Sequence, residues 1–178
     1  PSRVADCVQM LGAGPVAVCT VAGFPLGATS TDSKAFEAGF AVEEGATEID
    51  VVLNIARLKE REYSCVFDEL SAVVESVKDG NSDAIVKVIA ENCYLTRWEI
   101  AAACILVRES GADFVKTSTG FGTSGAKLED VILMKHIVKD RIKIKAAGGI
   151  RTRDDAVLFI RQGADRIGSS NGVAIVST

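Results

Sequence analysis

Short runs rich in valine and isoleucine alternate strictly with stretches of helical periodicity along this chain. That alternation constrains the fold more than any other feature. The strand-like runs are Val16–Ala22, Glu48–Leu53, Ile85–Ala90, Asp113–Thr117, Ile142–Ala147 and Asp165–Gly168. Between them, Thr31–Glu44, Cys65–Val77, Thr96–Glu109, Leu128–Val138 and Arg153–Gln162 carry apolar residues at i, i+3 and i+4, the stripe of a helix packing one face on a sheet. Thr96 and Glu99 have capping-box spacing. Gly45, Gly111 and Gly163 stand where helices end, each followed by alanine and then, within two residues, an acid and a strand. Strict alternation implies parallel strands with right-handed crossovers, hence a doubly wound sheet or a (β/α)₈ TIM barrel in the α/β class. The first strand is followed by Ala22-Gly23-Phe24-Pro25-Leu26-Gly27, which is not the G-x-G-x-x-G of a dinucleotide-binding sheet. Charged residues at strand centres favour the barrel, whose interior opens at a polar mouth.

Composition narrows the partners. Twenty Lys and Arg stand against twenty-four Asp and Glu in 178 residues, with no basic block. There is no electrostatic footprint for nucleic acid or an anionic membrane surface. No apolar run approaches the roughly 18 residues of a membrane helix, and no signal-like segment opens the chain. The five cysteines, Cys7, Cys19, Cys65, Cys93 and Cys104, show no C-x-x-C pairing and read as small buried apolar residues in a reducing compartment, which predicts a cytoplasmic protein. The one histidine, His136, lies in a helical stretch, so neither a Cys/His mechanism nor a zinc site is expected.

Three lysines mark the chemistry. Lys87, Lys116 and Lys145 each sit inside an apolar strand, 29 residues apart, one per unit. Lysine is rarely buried without a partner. Three in register on consecutive parallel strands would converge inside a barrel, where mutual repulsion and desolvation lower an ammonium pKa. A neutral amine attacks a carbonyl to form a Schiff base. Asp50 lies on one strand face with Val52 and Asn54, and Glu91 shares a face with Lys87, so carboxylates are at hand as ion-pair partners or proton carriers.

An anion signal lies near the end. Lys145-Ala146-Ala147-Gly148-Gly149-Ile150 ends one strand, and Gly168-Ser169-Ser170-Asn171-Gly172 ends the next and opens a short helix. Glycines let backbone N–H groups approach an anion, and a helix N-terminus favours one. Asn92, Thr119 and Gly120 end other strands on the same side, whereas Arg151 and Arg153 are read as solvated.

These runs carry a resemblance. Phe114–Thr123, Lys145–Thr152 and Asp165–Ser170, with Gly23–Thr29 and Glu48–Asn54 before them, are together similar to the signatures of the deoxyribose-phosphate aldolase family, in order and over essentially the whole chain. The resemblance implies a class I aldolase on a TIM barrel, without metal or other cofactor. It implies reversible cleavage of 2-deoxy-D-ribose 5-phosphate to acetaldehyde and D-glyceraldehyde 3-phosphate, in the breakdown of deoxyribonucleotides, by a homo-oligomer. Carried over by position, Lys116 is the Schiff-base lysine, Lys145 the cation that lowers its pKa, and Asp50 a partner in proton transfer with water. Gly120, Gly148, Gly149, Ser169 and Ser170 match phosphate-binding positions, with Lys87 and Thr119 in support. Some family members have a lysine after the Thr-Gly of the Schiff-base strand. This chain has Phe121, which implies less charge there and weaker phosphate discrimination.

Against the family pattern, residues 1–178 form one aldolase-type domain that lacks the first two strands, so about six βα units are expected rather than eight. A full barrel takes roughly 250 residues, or about 200 at least. The absent strands fit a truncated product, a fragment of a longer chain, or a degenerate paralogue completed by a partner. A second reading of function follows: an impaired remnant that only binds sugar phosphate or a partner subunit. An isomerase or a different aldolase on the same scaffold rests on fold analogy alone.

Overall fold

The computed structural model describes residues 1–177. Its elements alternate as expected: α1 (Val4–Leu11), β1 (Cys19–Ala22), α2 (Thr31–Glu43), β2 (Glu48–Val52), α3 (Ile55–Lys59), α4 (Tyr63–Gly80), β3 (Ile85–Ile89), a 3₁₀ turn (Asn92–Tyr94), α5 (Arg97–Glu109), β4 (Phe114–Lys116), α6 (Leu128–Val138), β5 (Lys143–Ala147), α7 (Arg153–Arg161), β6 (Arg166–Gly168) and α8 (Gly172–Val176). The short helix α3, capped by the Asn54 side chain, has no counterpart in the periodicity. Thr96 and Glu99 form the expected capping box at the start of α5.

The six strands are parallel and pair in chain order, β1 to β6. The sheet curls. Strands lie about 4.8 Å apart, so a flat sheet would hold β2 and β5 about 14 Å from each other. Yet Asp50 on β2 meets Lys145 on β5 at 2.7 Å, and Glu48 on β2 pairs with Arg166 on β6 at 2.5 Å. Only a concave inner face brings those side chains together. The result is a half-barrel of six βα units, with β1 and β6 each unpaired on one side among the described residues.

The side-chain alternation of a strand divides the layers. Ile49, Val51, Leu53, Val86, Val88, Val115, Ile144 and Ala146 point outward and join Leu70, Val73, Val77, Ile100, Val107, Val131 and Met134 of the helices in one apolar core. Burial of such side chains stabilises by about 1.5–3 kcal/mol each. The residues between them on β2 to β6, including Glu48, Asp50, Lys87, Lys116, Lys145 and Arg166, line the inner face.

The repeated glycine–alanine phrase has a mechanical basis. Gly45, Gly111 and Gly163 have φ of 99°, 86° and 109°. The alanines after them are buried. Asp113 and Asp165 then accept the backbone N–H of Val86 and Ile144 on the preceding strand, each at 2.8 Å. The carboxylate thus pins the start of each strand to its neighbour. The first repeat differs: its acid, Glu48, stands one position later and turns into the barrel.

Two expectations are corrected. The three lysines do not share one register. Lys116 is level with Lys145, but Lys87 is level with Asp50 and Phe114, two residues lower on the sheet. The cysteines are not uniformly buried: Cys104 is, Cys65 and Cys93 are half-buried, and Cys7 and Cys19 are exposed. Burial pushes the Cys104 thiol up to about 12. Among the described residues, no helix is long and apolar enough to cross a membrane.

Candidate active site

Asp50 is the hub of the inner face. It is 2% exposed. Its Oδ1 accepts from Lys87 at 2.8 Å, and its Oδ2 accepts from both Lys116 and Lys145 at 2.7 Å. Glu48, one inward position earlier, holds Lys87 at 2.8 Å and Arg166 from across the sheet. The expected buried ion pair between Asp50 and a lysine is therefore a contact with three. Curling delivers β3, β4 and β5 to a single carboxylate.

The charges resolve the lysines from one another. Burial pushes the Asp50 carboxyl up, but the ammonium groups of Lys116, Lys87 and Lys145 outweigh it and hold the carboxyl well below the usual range. Burial likewise disfavours the Lys87 ammonium, yet Asp50 and Glu48 hold its pKa above the ordinary value. Lys116 goes the other way. Its burial lowers the pKa, Asp50 opposes this, and the nearby Lys145 charge adds to the lowering. Titratable neighbours with oppositely shifted values divide acid and base roles. Lys87 is held as a fixed cation, and Lys116 is moved toward the neutral amine.

Lys116 and Lys145 open onto a cavity of about 530 Å³ at the C-terminal ends of the strands, the end where barrel active sites lie. Thr119, Gly120, Gly148, Gly149, Ser169 and Ser170 line the same cavity. The sequence-predicted lysines and loop residues therefore meet at one site, with Asp50 and Lys87 beneath it. Among the described residues, the backbone N–H groups of Gly120, Gly148, Gly149, Ser169 and Ser170 have no protein acceptor. Several unpaired N–H groups around one concavity suit an anion. Gly148, at φ 87°, is needed for a second reason: a Cβ there would lie 2.9 Å from Gly125 Cα, where the Gly125 backbone passes close by. Gly168 leaves room for Lys145, whose Cε would lie 3.3 Å from a Cβ at that position.

Some side chains serve differently from their sequence reading. The Ser169 hydroxyl donates to Ile150 O at 2.6 Å and accepts from Asn171 N–H at 3.0 Å, so its side chain shapes the loop. Helix α8 has five residues, little more than one turn. The anion donors are thus the loop N–H groups rather than a long helix dipole. Arg151 is exposed, in line with its reading as solvated, and also lines the cavity. The Thr119 hydroxyl donates to Glu91, which faces Thr119 rather than Lys87. Phe121 is 75% exposed and meets Phe24 edge-on, ring centres 5.5 Å apart. Sequence reasoning missed Glu48 and Arg166, although Glu48 sits two positions from Asp50 on the same strand face and Arg166 lies in the strand that leads into Ser169. Among the described residues, no three His, Cys, Asp or Glu side chains come together as a metal site.

Comparison with known proteins places this geometry. The model of the DeoC/LacD family aldolases matches residues 7–177. A deoxyribose-phosphate aldolase of Carboxydothermus hydrogenoformans is 52% identical over 176 residues, covering 99% of this chain and 77% of the relative. One of Thermotoga maritima is 58% identical over 161 residues, covering 90% of this chain and 63% of the relative. The chain thus spans less than two thirds of the Thermotoga protein's length. Among solved structures, an aldolase named QR15 aligns with a TM-score of 0.90 at 44% identity, over 98% of this chain and 76% of that one. The deoxyribose phosphate aldolase of Aeropyrum pernix, described as a unique tetramer, aligns with a TM-score of 0.85 at 36% identity, over 97% and 70%. With a family match over nearly its whole length, and a half-barrel whose lysines converge on one carboxylate, this chain belongs to the DeoC/LacD family of aldolases.

Proposed function

We propose that this chain performs the Schiff-base chemistry of a class I aldolase, reversibly cleaving 2-deoxy-D-ribose 5-phosphate to acetaldehyde and D-glyceraldehyde 3-phosphate. The observation that carries the reading is Lys116: a buried lysine with a lowered pKa, opening onto a cavity rimmed by unpaired N–H groups. The neutral Lys116 amine attacks the C1 aldehyde of the open-chain sugar. Loss of water from the adduct gives a protonated imine. A base takes the proton from the C3 hydroxyl, the C2–C3 bond breaks, and its electron pair moves toward the imine nitrogen to give an enamine. Glyceraldehyde 3-phosphate leaves, C2 takes up a proton, and water hydrolyses the imine to acetaldehyde and free Lys116.

Lys145 and Asp50 assist from fixed positions. Both lysines meet Asp50 Oδ2, so proton transfer with water around the imine centres on that oxygen. The loop N–H groups of Gly120, Gly148, Gly149, Ser169 and Ser170 receive the phosphate. Lys87, held as a cation, keeps Asp50 ionised and oriented. The same reading puts the enzyme in the cytoplasm, in keeping with five unpaired cysteines, and in deoxyribonucleotide breakdown. It includes association with further copies of this chain.

The test is a retro-aldol assay on the purified chain. Equal amounts of acetaldehyde and glyceraldehyde 3-phosphate are expected. Binding of the sugar phosphate without either product would favour the impaired remnant. A pH profile adds a sharper check. Neutral Lys116 becomes more abundant as pH rises through its lowered pKa, so kcat/KM climbs over that range. Lys145→Met removes one of the causes of the lowering. The acid limb of the profile then moves to higher pH, and turnover at neutral pH falls by about 10²-fold or more with the loss of a proton-transfer partner.

A further inference from the structure

Glu91 is a buried carboxylate that the mechanism above does not use. It is 1% exposed and lies two residues beyond β3. Its backbone is left-handed, φ 54° and ψ 62°, a conformation that non-glycine residues seldom adopt without a compensating role. Burying a carboxylate is costly unless its oxygens are hydrogen-bonded. Among the described residues no lysine or arginine pairs with it; its partners are neutral donors.

Those donors come mainly from one residue across the sheet. Thr119 N–H lies 3.2 and 3.3 Å from the two Glu91 oxygens, and the Thr119 hydroxyl donates to Oε2. The same hydroxyl accepts from Phe121 N–H at 2.9 Å. The Cys93 thiol, at 3.7 Å, adds a weaker contact. Gly122 closes over the pair: a Cβ there would stand 3.1 Å from the Glu91 carboxyl carbon. Hydrogen bonds to an ionised acceptor are stronger than neutral ones, so this clamp is firm. It leaves a definite remainder. Of the N–H groups of Thr119, Gly120 and Phe121, the first goes to Glu91 and the third to the Thr119 hydroxyl. Gly120, at φ 94° on the cavity wall, keeps its N–H unpaired.

We propose that Glu91 is a positioning residue for recognition of the substrate's anionic end: by holding both donors of Thr119 it fixes the Thr119–Phe121 turn so that Gly120 N–H is presented to the phosphate. The inference rests on the phosphate site proposed above. A negative charge close to an anion site weakens anion binding by repulsion. The arrangement therefore makes sense as a mechanical clamp, and the two roles predict opposite effects for a neutral isostere.

The experiment compares kcat and KM for 2-deoxyribose 5-phosphate and for unphosphorylated 2-deoxyribose. In the wild-type chain the phosphorylated sugar is preferred. In Glu91→Gln the amide oxygen replaces only one of the two acceptors. The preference, as the ratio of the two kcat/KM values, is expected to fall about tenfold or more, chiefly through KM for the phosphorylated sugar. A tenfold change in an equilibrium corresponds to about 1.4 kcal/mol, within the range for loss of one hydrogen bond. Thr119→Val, which removes the same hydroxyl clamp without touching Glu91, is expected to act in the same direction, and Thr119→Ser to retain the preference. General loosening of the fold would lower both substrates' kcat/KM and leave the ratio in place. An unchanged or increased ratio in both Glu91→Gln and Thr119→Val overturns the clamp while leaving the aldolase reading intact. A wild-type chain that is active but shows no preference for the phosphorylated sugar overturns the phosphate site, and the clamp with it.

Discussion

Lys116→Ala is expected to lose about 10⁴-fold or more of retro-aldol turnover, because no other group supplies the covalent step. The neighbouring lysines do not substitute. Lys87 lies one inward position lower on the sheet and is held in its charged form by two carboxylates. Lys145 shares an oxygen with Lys116 but reaches it from the next strand. The variant is also expected to fold. Lys116 is 7% exposed, and after its removal Asp50 keeps Lys87 and Lys145 as partners. A steady-state assay with a thermal melt separates the two quantities. Lost turnover with a nearly unchanged melting temperature is the expected pair of results.

Asp50→Asn carries the largest expected effect on stability. The substitution keeps the shape and removes the one charge that Lys87, Lys116 and Lys145 have in common. Removing one partner from a buried ion pair typically costs about 3–5 kcal/mol, since the other charge stays buried without compensation. Here three ammonium groups are left facing one another, with Glu48 remaining as a partner for Lys87 alone. The loss should be largest near neutral pH. Asp50 is a carboxyl whose folded-state pKa is depressed. Its stabilising contribution is therefore fully present above the unfolded value, roughly 3.9, and disappears as pH falls through the folded value. Lys87, with a raised pKa, gives the mirror image: its contribution is present below the unfolded value and is lost as pH rises through the folded one. Denaturant unfolding of the wild type and Asp50→Asn across pH should show a gap that is widest in the middle and closes at both extremes. A gap independent of pH would mean that packing, and not charge, accounts for the difference. Turnover should fall as well, by about 10²–10⁴-fold, with the loss of a proton-transfer partner.

Much of this arrangement is legible in the chain itself. The valine- and isoleucine-rich runs and the helical stripes between them locate every strand, because a sheet covered by helices on its outer face needs valine and isoleucine at Ile49, Val51, Val86, Val88 and Val115. The lysines stand out for the same reason. In a run such as Ile85-Val86-Lys87-Val88-Ile89, a charge needs a partner that the run does not contain. Asp50 is legible as that partner's type. What the chain does not display is depth and curvature. The pair between Glu48 and Arg166 joins residues 118 apart and exists only because the sheet curls. The offset of Lys87 from Lys116 and Lys145 follows from strand stagger, which equal spacing in sequence conceals. The roles of Thr119 and Ser169 depend on where their hydroxyls turn, and both turn to protein groups at loop ends that periodicity does not describe.

The central claim is that Lys116, and neither of the lysines around it, forms the covalent bond to substrate. It is tested most directly by incubating the chain with acetaldehyde and borohydride, which reduces a Schiff base to a stable N-ethyl-lysine, followed by peptide mapping. A single ethylated peptide containing Lys116, absent in Lys116→Ala, is the predicted result. An ethyl group on Lys145 or Lys87, or no adduct at all, would contradict it.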